Sequence, residues 1–447
     1  MNPTLEPIPT DERFGSRSYL GQILLLAASQ AILMLGYGAV LPILPYYLIE
    51  FGAGAFEYGL LVATFSIFAF IAAGPLGTLS DRIGRKPVIM ISLAGAGISL
   101  VVFSLSNSLL LLFVTRAAEG FFTAGLWPSG DALVSDIVPA KKRGSAWGNL
   151  LAGRTTGMIF GPTIGGILAF YLGVRIPFMI CAALAFVALL LSALFIREPP
   201  RTRSKEEILH EQLRQPWWNR FSLALKAYWN VLLTGGLLLV VAMIVRFTRI
   251  LSIATVEPMF AIYTTDQRTF GLTPLELGLF FFCFAITNAI SQLVFGRLAD
   301  RIGHGSPMVF SGFVTAFGLF LAIIATTTLQ FYLVAVFLGL GGAMALPSTA
   351  AVAAEAAPPT ERGRVMGLLS MSGSLGRATG PIIGGFLYAS ILALTDNPYL
   401  AALPPVTIAL IVGILGSLAA IPLFLRARRN MMKKNTGEEK PLKTDEG

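Results

Sequence analysis

The residues of this chain able to do chemistry are ionisable groups set inside apolar stretches. Arg116 and Glu119 stand three apart, Asp131 follows, and Arg154, Arg246, Arg249, Glu257 and Arg377 each interrupt an apolar run. A charge in a low-dielectric run is costly and so is a functional candidate. The i, i+3 spacing lets Arg116 and Glu119 pair on one helix face. Glu119 is then a proton carrier tuned by Arg116, or half of a static pair. Glu257 has no partner close in sequence and is a second proton carrier, or a residue that closes one end of its helix bundle. Asp131 lies little more than a turn before Asp136, and belongs either with the proton carriers or with a charge cluster at the helix end. The arginines outnumber the acids, which suits an anionic substrate gripped by Arg154, Arg246, Arg249 and Arg377 with Gln30. The alternative is that these arginines hold helices together through carbonyls and acids.

Other chemistries are excluded. Cys181 and Cys283 both sit in apolar runs, and His210 and His304 both lie outside them, so no metal or disulfide spacing exists. No G-x-x-x-x-G-K-[ST] loop occurs. No catalytic residue, cofactor or metal is expected, and the chain is not an enzyme. Its energy comes from a gradient unless a separate subunit supplies a nucleotide.

The elements that position these groups are membrane helices. Of 447 residues, 55% are hydrophobic and only 13% charged, too few to clothe a soluble surface of this size. About twelve stretches are long enough to span a bilayer. Helices are expected at 19–49, 58–80, 88–106, 109–137, 145–170, 177–196, 231–264, 275–296, 306–326, 330–356, 365–390 and 402–425. The net charge of +9 does not mark a nucleic-acid partner, because Lys and Arg concentrate in short gaps on one side and in the tail. Arg175 and Arg268 are the exceptions on the other side. The excess of basic residues puts both termini in the cytoplasm. The expected parts are an N-terminus (1–18), a six-helix bundle (19–196), a linker (197–230) with Trp217 and Trp218 at the membrane surface, a second bundle (231–425) and a tail (426–447). No external N-x-[ST] acceptor occurs, which favours a prokaryotic-type plasma membrane. The lipid bilayer is the partner, and a monomer is expected.

One unit is written twice. Asp81, Arg82 and Gly84 recur as Asp300, Arg301 and Gly303, an offset of 219. Glu57 and Glu276, Pro128 and Pro347, Asp136 and Glu355, and Gly144 and Gly363 share it. So do Gly161, Pro162, Gly165 and Gly166 with Gly380, Pro381, Gly384 and Gly385. Such repeats mark transporters with a site near the midplane, between the halves. Subtracting the offset places Arg377 one turn from Arg154, on similar faces of the two halves.

The string Gly77, Asp81, Arg82, Gly84, Arg85 and Lys86 between spans 2 and 3 resembles motif A of the major facilitator superfamily. Asp81 and Arg85 are one turn apart and can pair, with Asp136 completing a gating latch. Gly77 and Gly84 allow close backbone approach. The second copy keeps Asp300, Arg301 and Glu355 but has His304 in place of Arg85. Gly148, Gly157, Gly161, Pro162, Gly165 and Gly166 in span 5 resemble motif C of the drug:proton antiporters, and Gly367, Gly376, Gly380, Pro381, Gly384 and Gly385 repeat it in span 11. Small residues let membrane helices pack closely. Gly36, Pro42 and Pro45 resemble the span-1 signature of the twelve-span antiporters, and Arg116 with Gly120 resembles motif B, whose Arg is implicated in proton transfer.

The resemblance implies an all-α membrane fold of twelve helices in two pseudo-symmetric six-helix bundles. Spans 1, 4, 7 and 10 line the cavity, and spans 3, 6, 9 and 12 support the outside. The embedded charges fall only on spans 4, 5, 7 and 11. The expected function is proton-coupled efflux of a small amphipathic or anionic molecule, multidrug export included. The competitors are a proton symporter importing an anionic metabolite, and a non-transporting receptor or lipid scramblase on the same fold. Span 1 carries no acid, which argues against cationic drugs.

Overall fold

The computed structural model describes residues 16–139, 142–198, 217–356 and 361–425. The tail and most of the N-terminal segment and linker lie outside the described residues. Among the described residues, twelve helices are long and apolar enough to cross a membrane. In order they are Leu20–Ile49, Ala55–Ile83, Arg85–Ser104, Leu109–Ile137, Arg143–Leu172, Ile176–Phe195, Gly236–Thr265, Pro274–Ile302, Gly305–Ile324, Thr328–Glu355, Arg364–Thr395 and Pro398–Leu425, called spans 1 to 12. An even number returns the chain to the end where it started, here the terminal end. The opposite end is the far end.

Two local features depart from the expected helices. Span 7 does not start at residue 231: a helix runs from Trp217 to Thr265 and breaks at Gly236, whose φ of 54° suits only a residue without Cβ. Spans 4 and 10 are each broken. Span 4 divides into Leu109–Thr123 and Leu126–Ile137, and span 10 into Thr328–Met344 and Leu346–Glu355. Pro128 and Pro347, repeat mates, lie just after the breaks, where each ring clashes with the carbonyl four residues back. The repeated Glu57 and Glu276 also gain a local explanation. Each carboxylate accepts from the backbone N–H at the start of its own helix, Gly54 and Thr273, at 2.8 Å. They are helix caps.

Spans 1 to 6 pack chiefly among themselves, as do spans 7 to 12. Within the bundles the closest partners are spans 1 and 5, and spans 7 and 11. Gly157, Gly161 and Gly165 make one stripe against span 1, and Gly376, Gly380 and Gly384 make the equivalent stripe against span 7. Lipid offers no hydrophobic drive between helices, so backbone proximity at small residues supplies the packing energy. Spans 2 with 11 and 5 with 8 join the bundles, while spans 3, 6, 9 and 12 stay within their own.

The joins sit toward the far end. Gly59 lies against the Pro381 carbonyl and Gly385 against that of Ala55. On the other side, Gly278 lies against the Pro162 carbonyl and Gly166 against that of Pro274. The Tyr46 hydroxyl donates to the Leu272 carbonyl, and the Phe56 and Phe386 rings meet edge to face. Toward the terminal end of the same spans, Gly74, Gly77 and Gly148 have nothing within 4 Å of where a Cβ would stand. The bundles are therefore closed together at the far end and parted at the terminal end. Outside the spans, Arg268 bridges Asp266 and Asp396 at 2.9 Å each. Its hydrogen bonds hold the Asp266 carboxyl below the usual carboxylate range.

Candidate functional site

The central polar cluster straddles the two bundles. Arg116 donates to Glu119 at 2.7 Å, and both are buried. The guanidinium also lies 4.8 Å over the Phe65 ring, leaving Nε and Nη2 without hydrogen-bond partners. Tyr37 of span 1 packs on the same ring, with centroids 5.2 Å apart. Tyr37 also stands in the field of Arg377 of span 11, an electrostatic link between the bundles. Glu257 of span 7 stands in the field of Arg377 from its own bundle and of Arg116 from the other. Its Oε1 is buried with no partner. A carboxylate shared between cations on two bodies responds to their separation, since Coulomb energy in a low-dielectric gap varies steeply with distance.

A second cluster belongs to the first bundle alone. Arg154 Nε donates to Gln30 Oε1 at 2.8 Å and Nη2 to Asp131 Oδ1 at 2.7 Å. Its guanidinium lies 4.9 Å from the Trp127 ring centroid. Asp131 thus joins spans 1, 4 and 5 instead of the charge cluster around Asp136. Arg154 is paired with Asp131, whereas Arg377 stands near Tyr37 of the facing bundle. The cation near Arg377 is Arg246, whose Nε is buried without a partner beside Gly373. Arg249 is turned away from this gap toward span 12. It is 2% exposed, and Ser417 Oγ at 3.4 Å is the hydrogen-bond partner of its guanidinium.

In the first half Asp81, Arg85 and Asp136 come together as ion pairs. Arg85 bridges Asp81 at 2.5 Å and Asp136 at 3.2 Å. Gly84, at φ 109°, turns the chain between spans 2 and 3, and Glu198 lies where a Cβ would stand. Glu198 accepts from the backbone N–H groups of Arg85 and Lys86 at 2.7 Å each, capping span 3. Arg82 is exposed, and Gly77 makes no close approach in this conformation, contrary to expectation. In the second half His304 Nε2 lies 3.9 Å from Glu355, while Asp300 and Arg301 are exposed.

Sequence reasoning missed Tyr37, Glu198 and the Gly59–Gly278 pair. The last was within reach, since 59 and 278 differ by the repeat offset. Tyr37 and Glu198 act through contacts distant in sequence, and no spacing announces them.

Relatives among known proteins fit this geometry. Multidrug resistance protein 1 of Bacillus subtilis is 29% identical over 81% of this chain and 89% of its own length. Multidrug resistance protein MdtG of Proteus mirabilis is 30% identical over 79% and 86%. Quinolone resistance protein NorA of Staphylococcus aureus is 27% identical over 82% and 90%. Among solved structures, a bacterial homologue of the human lysosomal transporter Spinster, inward-facing and unoccupied, superposes with TM-score 0.73 at 18% identity, over 94% of this chain and 99% of that one. The nucleoside transporter NupG gives 0.71 at 16%, over 90% and 99%. The family described as Major Facilitator Superfamily matches residues 26–263 and 242–446. With both halves matched and twelve spans in place, the chain belongs to the Major Facilitator Superfamily, as a transporter and not an enzyme.

Proposed function

We propose that this transporter exports a small amphipathic or anionic organic molecule in exchange for protons, multidrug export included. The observation that carries the reading is Glu257, with an unpartnered buried oxygen, in the field of Arg116 from one bundle and Arg377 from the other. Ionised, Glu257 attracts Arg116 across the gap and favours the closed far end. Protonated, it loses that attraction and the far end is freed to open. Arg116 is shared with Glu119, so a proton on either carboxylate changes what Arg116 offers to the other. The multidrug relatives support export, and the terminal end then faces the cytoplasm of a plasma (inner) membrane, in line with its basic residues.

The substrate contacts we assign are Arg377 and Arg246, with Gln30 and Arg154 on the facing bundle. Asp81, Arg85 and Asp136 gate the terminal end. Arg246 beside Arg377 also favours a second reading, proton-coupled import of an anion through the same site. Everted vesicles with an inside-acid pH decide between them. Export requires substrate accumulation in the vesicles driven by that gradient. Accumulation only when the outer medium is the acid side would mean import, and no gradient dependence would remove the proton.

A further inference from the structure

At the terminal end, spans 1 and 6 leave a cleft of about 470 Å³ between them, lined by Gly21, Gln22, Leu25, Leu191, Phe195 and Arg197. It lies apart from the interbundle cluster and adjoins the turn between spans 2 and 3, where Glu198, the residue after Arg197, meets Arg85 and Lys86. Its shape has a local cause. Gly21 has no side chain, and nothing stands within 4 Å of where its Cβ would be, so the first turn of span 1 leaves space beside span 6.

The cleft has a polar end and an apolar wall. Gln22 is 5% exposed, and its Oε1 accepts from the Arg197 backbone N–H at 3.0 Å, which fixes the amide. Its Nε2 is buried with no partner. A buried donor left without an acceptor is costly, so the site is built for an acceptor. Arg197 is the one charged lining residue, and no ion-pair partner for it occurs among the described residues. The neighbouring acid, Glu198, is engaged by Arg85 and Lys86. Leu191 and Phe195 are exposed beyond the polar end. The site lies where span 1 begins and span 6 ends, at headgroup depth for a bilayer matched to these spans.

We propose that this cleft binds an anionic phospholipid of the leaflet at the terminal end. Arg197 and the Gln22 amide hold the phosphate, and Leu25, Leu191 and Phe195 hold the start of an acyl chain. A guanidinium pairs with phosphate oxygens through two parallel hydrogen bonds. The lining has no carboxylate to match the ammonium of a zwitterionic headgroup, so net-negative lipids are preferred.

Native mass spectrometry of the full chain in detergent, with matched-chain phosphatidylglycerol and phosphatidylcholine, tests this. Phosphatidylglycerol is expected as the retained lipid. Arg197→Ala, Gly21→Leu, which fills the cleft, and Gln22→Glu, which keeps the bond to Arg197 but removes the donor, are each expected to lower retention about tenfold, the scale of one charge-assisted hydrogen bond. Arg197→Lys is expected to keep part of it. Equal retention of both lipids, or retention unchanged in the three variants, overturns the proposal. So does displacement of the lipid by glycerophosphate at equal concentration, which would make the ligand a free phosphate. Retention that appears only after residues 199–216 are removed would mean that the chain itself fills the cleft, and also overturns it.

Discussion

Gly59 and Gly278, 219 residues apart, hold equivalent places: each lies against the carbonyl of a proline in the glycine-rich span of the facing bundle, Pro381 and Pro162 respectively. The same two spans present a stripe of glycines inward to span 1 or 7 and a further glycine outward, Gly166 or Gly385. The motif therefore serves two packings at once. One face fixes the bundle, and the other closes it on its neighbour.

Any side chain at Gly59 or Gly278 meets backbone in this conformation, where nothing can rotate away. Overpacking of this kind costs about 1–3 kcal/mol. Gly59→Ala and Gly278→Ala are expected to shift the population toward the far-end-open form by roughly five- to hundredfold, the equilibrium equivalent of that energy. Maleimide labelling of a far-end reporter cysteine, in a background lacking Cys181 and Cys283, measures it. The variants should label faster from the far side, and unchanged rates would mean that the contact does not set the equilibrium.

Glu119 and Glu257 should respond differently to neutralisation. Glu119→Gln leaves buried Arg116 without its 2.7 Å counter-charge, and breaking such a pair costs about 3–5 kcal/mol. A loss of folded protein is expected. Glu257→Gln removes a charge that makes no direct hydrogen bond through Oε1, so the protein should fold. Proteoliposome assays are expected to show substrate exchange retained and pH-driven flux lost. Full pH-driven flux in Glu257→Gln would take Glu257 out of the proton path.

Much of the scaffold was legible because it is periodic. Apolar length marks the spans, and the offset of 219 pairs Pro128 with Pro347 and Gly166 with Gly385. The breaks in spans 4 and 10 follow from those prolines. The site was legible as a set of residues but not as a set of partners. Asp131 stands near Asp136 in sequence, yet it pairs with Arg154 because three helices bring them together. Arg246 and Arg249 are neighbours on span 7, yet the three-residue step combined with tight packing against span 12 sends Arg249 elsewhere. Which charge meets which is decided by helix rotation and packing, which hydropathy does not encode.

The Arg154–Asp131 pair predicts strong coupling. Asp131 is half exposed and Arg154 a quarter, so the pair faces the parted side of the protein. Arg154→Ala frees an anion there, and an anionic substrate should then bind more weakly through repulsion as well as through the lost cation. Adding Asp131→Asn is expected to restore part of the loss, with a coupling of about 0.5–3 kcal/mol between the two changes. Equilibrium binding to the single and double variants measures it. Strict additivity would mean that the two residues act on substrate independently.

Glu198 is the residue whose removal should separate the latch from simple charge pairing. Its two oxygens accept from the N–H groups of Arg85 and Lys86 and stabilise the positive end of span 3. That end also carries the Arg85 side chain, which reaches Asp81 and Asp136. Losing a helix cap costs about 1 kcal/mol. Glu198→Ala should therefore loosen the start of span 3 without removing any latch charge. Hydrogen exchange at the Arg85 and Lys86 amides is expected to rise roughly fivefold, as about 1 kcal/mol implies. Glu198→Gln keeps one acceptor oxygen and should recover part of the protection. If Arg85→Ala raised exchange at these amides while Glu198→Ala did not, the side-chain pairs and not the cap would be holding this turn.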